Sequence, residues 1–353
     1  MDRKSLFFIV LSVAILAVML WLVGIEDIIN ALKVANLGLI ALAIAVQVFT
    51  YFLYTLRWKI LNNLAGIDVG VKKLLPMVLV GLAINNITPS GRGGGEPVRA
   101  YVLSKEEKYP FEETFATVVA DRALDTFPFI VLAALTIVGM VFYFDIESWL
   151  LIIMVISVIA ILAVLFVLIY MCINPGFGKV VDGWIIGLVR RFYKKNSEEL
   201  ENKIHDAIFG FQNTMKLLIS SKKAMLYAIP LSFIIWFFEI IRVYFVFLAF
   251  GADVSLVVIG EVFIIACLVG MIPLLPGGLG AIDGIMVIFY SAAGISPSIS
   301  AAATVIERLI SFWMATILGM MILPYYGSSV LDKISFGSSA DEIEESVRDE
   351  KDG

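Results

Sequence analysis

Apolar residues fall in long, nearly uninterrupted runs along most of this chain. A run of about 18 or more apolar residues is long enough to cross a bilayer as a helix. Six segments predict spanning helices, at approximately residues 5–24, 37–60, 113–143, 149–173, 224–250 and 302–324. The first run resembles a signal peptide but is too long for one, and no small-residue cleavage site follows it. We therefore predict an all-α polytopic membrane protein.

Two further apolar stretches, 74–103 and 255–293, are broken in the middle by glycine and proline. The breaks read ITPSGRGGGEPVRA and IPLLPGGLGAIDG. Non-helical backbone at membrane depth is tolerated only where protein or a water-filled cavity covers it. The short arms beside the breaks predict two re-entrant broken-helix hairpins rather than full spans.

The basic residues of the loops predict the orientation of the chain. One side carries Arg3, Lys4, Lys59, Lys72, Lys73, Lys105, Lys108 and the nine basic residues of loop 174–223. The opposite loops, near 25–36, 144–148, 251–254 and 294–300, contain Lys33 as their one basic residue. We expect a multi-pass protein of the cell membrane with both termini in the cytoplasm.

The loop 174–223 has helical patterns of its own. Apolar residues are interleaved with basic ones in FGKVVDGWIIGLVRRFY, and Ile204, Ile208, Phe211, Met215 and Leu218 recur at helical spacing. Two interpretations stay open. The loop either forms amphipathic helices on the inner membrane surface or forms a helical hairpin packed on the membrane domain.

The composition supports a membrane protein and narrows its chemistry. Hydrophobic residues make up 60% of the 353 residues and charged residues 16%, against about 25% charged in soluble proteins. The net charge of −5 arises in residues 337–353, so we predict an acidic, disordered cytoplasmic tail over 331–353 after a membrane domain over 1–330. One histidine and two scattered cysteines disfavour a metal site or a histidine-based triad, and we expect no cofactor.

The two halves of the chain resemble each other at a nearly constant offset. ATVVADRALDTF aligns with AATVIERLISFW, which places Asp121 and Arg122 on Glu307 and Arg308 at an offset of 186 residues (307 minus 121). By the predicted orientation, repeat 1 (about 37–143) and repeat 2 (about 224–324) are inverted across the membrane. Inverted repeats with broken helices are typical of secondary transporters.

Two more landmarks support the duplication. Glu96 matches Asp283 at an offset of 187 (283 minus 96), and Arg57 matches Arg242 at 185 (242 minus 57). Chance similarity between apolar helices is the alternative. Acidic-arginine pairs are rare inside spans, which makes chance less attractive.

Ionised side chains within or beside the apolar runs form the candidate site. Each costs roughly 2.5–3.5 kcal/mol on insertion scales, so such residues usually mark function. The substrate-binding candidates are Arg92, Glu96, Arg99, Asp121, Arg122, Asp125, Arg242, Asp283, Glu307 and Arg308, with Arg57 and Glu239 as further charges. Asp121 and Asp125 share a helical face. Buried ion pairs that only hold helices together are the structural alternative.

The glycines of the two breaks add backbone freedom at the same places. They are Gly91, Gly93, Gly94 and Gly95 in the first break and Gly277, Gly278 and Gly280 in the second. The N–H groups of such turns, followed by a helix N-terminus, favour an anion. Arg92 and Arg99 would reinforce that preference for phosphate. Neither break is a Walker loop. Asn85 and Asn86 either hydrogen-bond a headgroup or cap the broken helix, and we expect capping.

These motifs resemble a known family. GGGEPVRAYVL with VVADRALD, and LPGGLGAIDG with VIERLISFW, are similar to the flippase-like membrane family, which shares its fold with the transmembrane flippase region of lysylphosphatidylglycerol synthases. The resemblance covers roughly 5–325. It implies movement of a lipid or lipid-linked headgroup between leaflets. A soluble acyltransferase domain is missing from the 353 residues, so we expect no lysylphosphatidylglycerol synthesis.

Three functions follow as hypotheses. The first is a lipid flippase or transporter whose partners are membrane lipids: anionic or zwitterionic phospholipid, or a polyprenyl-phosphate-type lipid. The second is a membrane-embedded enzyme acting on a lipid headgroup, with Glu96 or Asp121 as general base. The third is a membrane scaffold without transport. We expect a non-enzyme that binds no nucleic acid, and the oligomeric state stays open.

Overall fold

The computed structural model describes residues 35–88, 94–143, 148–174, 197–270 and 278–326, with a few isolated positions elsewhere. Every regular element within these ranges is helical. We number the helices α1 Leu37–Leu64, α2 Val71–Ile87, α3 Gly95–Glu107, α4 Phe111–Tyr143, α5 Ser148–Ile173, α6 Ser197–Ser220, α7 Ile229–Ala249, α8 Leu256–Gly270, α9 Ala281–Ala292, α10 Pro297–Arg308 and α11 Met314–Ile322. π-Helical turns at Ala224–Ala228 and Leu309–Trp313 join α7 and α11 to what precedes them.

Five helical segments among the described residues are long and apolar enough to cross a membrane. They are Leu37–Leu64, Phe111–Gly139, Met154–Met171, Ala224–Ala249 and Pro297–Tyr326. They coincide with five of the six predicted spans and confirm a multi-pass membrane protein. The predicted span 5–24 and the predicted tail 331–353 lie outside the described residues.

Apolar side chains cover the outside of the helical bundle. Val48 and Phe52 on α1 and Ile159 and Phe166 on α5 are all exposed. A soluble monomer rarely exposes so large an apolar surface, whereas lipid tails accept it at no cost. The exposed faces of α1 and α5 are therefore suited to lipid.

Each predicted broken stretch contains two helices separated by a break. α2 ends at Ile87 and α3 begins at Gly95, while α8 ends at Gly270 and α9 begins at Ala281. α2 packs directly on α3, and α8 packs on α9. The backbones of α2 and α3 touch, because a Cβ atom at Gly95 would lie 1.9 Å from the carbonyl oxygen of Gly81.

The two halves of the chain are interleaved rather than separate. α1 packs against α7, and α2 packs against α11. Asn86 connects the second pair, since its Nδ2 donates to the carbonyl oxygen of Phe312 (3.1 Å) and to Oγ1 of Thr316 (2.9 Å). It therefore joins two helices, whereas capping was the sequence-based expectation. The interleaving brings residues far apart in sequence to the middle of the bundle.

α6 packs on the helical bundle through its apolar face. Met215 and Leu218 are buried in a cluster that includes Leu61, Ala116 and Ala120 of α1 and α4. This contact agrees with the second interpretation of the loop, packing on the membrane domain, for its second half. Most of FGKVVDGWIIGLVRRFY lies outside the described residues.

Candidate functional site

A cavity of about 180 Å³ lies between the helices of both halves. Residues of α1, α2, α3, α4, α7, α8, α9, α10 and α11 line it, together with the π-helical turn before α11. Its charged lining consists of Arg57, Arg99, Arg122, Arg242, Arg308, Glu96, Asp121, Asp125, Glu239 and Glu307. The arrangement brings eight of the ten predicted substrate-binding residues to one place. Of the other two, Asp283 is bound to Arg308, and Arg92 lies outside the described residues.

Arg57 organises the first group of charges. Its Nε donates to Oδ1 of Asp121 at 2.7 Å, and its Nη1 donates to Oδ1 of Asp125 at 2.9 Å. Nη1 also donates to Oγ of Ser232 on α7, at 3.1 Å. Asp121 and Asp125 therefore share a helical face, as the spacing predicts. A buried arginine needs this degree of pairing, because an unpaired charge would be costly to bury.

Asp121 also binds a second arginine, Arg99, which lies on α3 after the first break. Nη2 of Arg99 donates to its Oδ2 at 2.9 Å, and the guanidinium lies over the ring of Trp58, 4.4 Å from its centroid. Arg99, which the sequence suggested for a phosphate, thus has its charge compensated within the protein.

Arg242 organises the second group. Its Nη2 donates to Oε1 of Glu307 at 2.7 Å, and its Nη1 binds Glu239 on the same helix and Gln47 on α1. Next to this group, Nε of Arg308 lies 3.0 Å from Oδ1 of Asp283. All of these charged groups are buried or nearly buried.

Residues matched by their sequence offset make matched contacts. Arg57 binds Asp121 as Arg242 binds Glu307, in each case at 2.7 Å. Arg122 likewise faces Glu96 as Arg308 faces Asp283, but at 3.8 Å in the first half and 3.0 Å in the second. Two independent ion pairs thus recur with equivalent partners in the two halves.

Side chains of the protein already occupy the helix N-termini beside both breaks. The N–H of Gly95 donates to Oδ1 of Asn85, and the N–H of Gly280 donates to Oδ2 of Asp283, each at 2.7 Å. Gly278 and Gly280 have positive φ angles of 67° and 79°, which favour glycine. Asn85 therefore caps a broken helix as expected, and these two N–H groups are satisfied by the protein without a bound anionic ligand.

Of the remaining glycines of the two breaks, some are described by the structure and others are not. Gly94 is the residue preceding α3, and Gly95 serves helix contact, as its approach to Gly81 indicates. Gly91, Gly93 and Gly277 lie outside the described residues, so the predicted approach of their backbone to a ligand stays a prediction.

Several lining residues were not among the substrate-binding candidates. Arg57 and Glu239 were recognised from the sequence only as intramembrane charges, and Gln47, Tyr51 and Trp236 were missed. The offset that relates Arg57 to Arg242 was a signal for Arg57. The uncharged residues carry no comparable signal, because polar and aromatic side chains are ordinary in spanning helices.

One buried acid lies apart from the cavity lining. Glu261 on α8 contacts α4, where a Cβ atom at Gly139 would lie 2.1 Å from its Oε1. Its Oε2 has no hydrogen-bond partner among the described residues. Gly139 makes room for this carboxyl group, and neither residue stood out in the sequence.

Comparison with known proteins identifies the same family that the charged motifs resemble. The family model described as the lysylphosphatidylglycerol synthase TM region matches residues 9–319. A UPF0104 membrane protein of Methanothermobacter thermautotrophicus is 52% identical over 95% of this chain and 99% of its own length. Another, from Methanocaldococcus jannaschii, is 32% identical over 91% and 94% respectively.

A more distant relative has a longer chain. Glycosyltransferase AglD of Haloferax volcanii is 23% identical over 97% of this chain but only 56% of its own length. The family match extends over most of the 353 residues and includes both broken segments and both groups of charges. The protein therefore belongs to the family of the lysylphosphatidylglycerol synthase TM region.

Proposed function

We propose that this protein moves a lipid between membrane leaflets by taking its headgroup into the charged cavity. One observation carries the proposal: five arginines and five carboxylates from both halves of the chain line a cavity inside an apolar bundle. Intramembrane charges are expensive, and they usually face a pathway for a polar group. A bundle held together only by ion pairs would not need a cavity between them.

The size of the cavity suits a headgroup rather than a whole lipid. Its volume of about 180 Å³ is below the ~300–1,000 Å³ of sites that enclose drug-sized ligands. The acyl chains would stay in the bilayer beside the exposed apolar faces of the bundle. This division lets the protein shield the polar part of the lipid alone, which is the part that opposes crossing.

We propose in addition that the two halves are inverted repeats, each with a re-entrant hairpin. The matched ion pairs of the two halves support this relationship, and so does the break in each apolar stretch. In such an arrangement the cavity opens to either side by rocking one repeat against the other. Movement in this way needs no change in the covalent structure of the lipid.

The ion pairs of Asp121 and Glu307 disfavour these two carboxylates as catalytic bases. Asp121 is held by Arg57 and Arg99, and Glu307 by Arg242, so these groups serve poorly as general bases. The Haloferax volcanii relative is named a glycosyltransferase, but the alignment covers only 56% of its length. That name therefore assigns no reaction to the matched region.

Reconstitution in vesicles tests the proposal. Lipids with a label on an acyl chain, added to one leaflet, should reach the other leaflet faster with the protein than without it. Arg122→Gln should slow this exchange, while Lys73→Gln, at an exposed ion pair with Glu107, should leave it unchanged. Failure to move phospholipids of any headgroup, or a change in lipid mass by mass spectrometry, would contradict transport.

A further inference from the structure

Two ion pairs that occupy equivalent positions in the two halves differ in distance and exposure. Arg308 and Asp283 lie 3.0 Å apart, with side chains 7% and 2% exposed. Arg122 and Glu96 lie 3.8 Å apart, beyond hydrogen-bond distance, with side chains 38% and 15% exposed. The pair in the second half is closed, whereas the pair in the first half is open to the cavity.

Among the described residues that line the cavity, Arg122 has the least committed guanidinium. Arg57, Arg99 and Arg242 each donate to a carboxylate within hydrogen-bond distance, and Arg308 stacks over Phe312 at 4.6 Å besides facing Asp283. Within the described part of the chain, Arg122 has carboxylates only at 3.7 and 3.8 Å, from Asp125 and Glu96. Its planar fork is thus available for two hydrogen bonds to a phosphate.

Glu96 has complementary unused capacity. Its Oε1 accepts a bond of 3.3 Å from Nδ2 of Asn85, whereas its Oε2 is buried and has no hydrogen-bond partner among the described residues. A buried carboxylate oxygen left without a donor is costly. Once the carboxylate turns toward the cavity, an ammonium group next to Arg122 would satisfy this oxygen with both charge and a hydrogen bond.

The surrounding charges discriminate between classes of ligand. A phosphate bound to Arg122 lies close to the carboxylates of Glu96 and Asp125, which repel an anion that carries no compensating charge. The repulsion is strongest for a phosphomonoester, since it bears up to two negative charges at neutral pH. A headgroup that also carries a cation offsets the repulsion at Glu96.

We propose that Glu96 and Arg122 form the headgroup subsite and that it selects a zwitterionic phosphodiester with a primary amine. The phosphate binds Arg122, and the ammonium binds the carboxylate of Glu96, which turns to present Oε2 to the ligand. This assignment rests on the proposed transport function and names its substrate class. It favours lipids of the phosphatidylethanolamine type over phosphatidylglycerol and polyprenyl phosphate.

Binding to the purified full-length protein tests the subsite. The four probes are phosphatidylethanolamine, phosphatidylglycerol, polyprenyl phosphate and water-soluble glycerophosphoethanolamine, measured by native mass spectrometry and by thermal shift. We expect phosphatidylethanolamine to bind about tenfold more tightly than phosphatidylglycerol, because only its amine satisfies the unpaired carboxylate oxygen. The soluble probe should bind far more weakly than the lipid.

Two variants separate the two contacts. Glu96→Gln retains an acceptor for Asn85 but loses the charge, so it should reduce phosphatidylethanolamine binding to the level of phosphatidylglycerol. Arg122→Lys retains the charge but loses the planar fork, so it should weaken both lipids together. Lys73→Gln is the matched surface control and should leave all four probes unaffected.

The outcomes distinguish failure of this inference from failure of the function. Lipid exchange in vesicles together with equal or tighter binding of phosphatidylglycerol or polyprenyl phosphate would overturn the zwitterionic subsite alone. A Glu96→Gln variant that folds and keeps its preference for phosphatidylethanolamine would do the same. Equally tight binding of glycerophosphoethanolamine would reject a lipid ligand, and an absence of exchange despite selective binding would reject transport.

Discussion

Glycine at position 95 lets α2 and α3 touch through their backbones. An alanine Cβ there would lie 1.9 Å from the carbonyl oxygen of Gly81, and backbone cannot move aside as a flexible side chain can. We expect Gly95→Ala to destabilise the protein by about 1–3 kcal/mol or to prevent folding. The control is Gly70→Ala, where nothing lies within 4 Å of the new atom. Equal midpoints of thermal unfolding for the two variants would refute the close contact.

The buried guanidinium of Arg57 pairs with two carboxylates on α4. Arg57→Met leaves Asp125 without its 2.9 Å partner and Asp121 with Arg99 alone. We expect a loss of about 3–5 kcal/mol in unfolding free energy, because removing one partner leaves buried charge uncompensated. The double variant Arg57→Met/Asp121→Asn should recover part of that loss. A double variant no more stable than Arg57→Met would show that the charges are not coupled.

At the residue scale, the sequence identifies the charged residues of the bundle better than it identifies their partners. The free-energy cost of placing a charged side chain in the membrane singles out Asp121, Arg122 and Glu307, because charged residues are rare in apolar runs unless they have a role. The partners of Arg57, however, come from α4 and α7, and only the packing of α1 against those helices determines them. The distinction between committed Arg99 and uncommitted Arg122 likewise depends on distances that no pattern encodes.

At the scale of helices, spans are predictable because length and apolarity suffice to define them. The predicted segments 149–173 and 224–250 differ by one residue or fewer at each end from the helical segments 148–173 and 224–249. The segment predicted at 302–324 begins earlier, at Pro297, because Ser296 caps the helix and accepts from the N–H of Ile299. A search for apolar runs misses the first turn of a spanning helix when that turn is only weakly apolar.

α6 offers a test of packing at this scale through two adjacent leucines. Leu218 is 3% exposed and packs in the cluster with α4, whereas Leu217 is 53% exposed. We expect Leu218→Ala to cost about 2–5 kcal/mol, as deletion of a buried leucine does, and Leu217→Ala to leave the thermal midpoint nearly unchanged. Equal effects of the two substitutions would indicate that α6 contacts lipid rather than α4.

At the scale of the whole molecule, the matched ion pairs relate the two halves of the chain. The direction in which each half enters the membrane is a separate property that labelling can measure. The loop residues Asp68 and Asp253 precede the two broken segments, and both are exposed. Inverted repeats require these two loops to lie in opposite aqueous compartments, with Asp68 in the cytoplasm by the distribution of basic residues. Parallel repeats would place them in the same compartment.

Labelling with a membrane-impermeant maleimide decides between the two arrangements. Asp68→Cys and Asp253→Cys are introduced separately into a variant in which Cys172 and Cys267, the two native cysteines, are replaced by serine. In intact cells the reagent should modify the cysteine at 253 and spare the one at 68, while permeabilised cells should allow both. Modification of both in intact cells, or of neither, would remove the inverted repeat. Alternating access to the cavity from the two sides of the membrane would then require a mechanism other than inverted repeats.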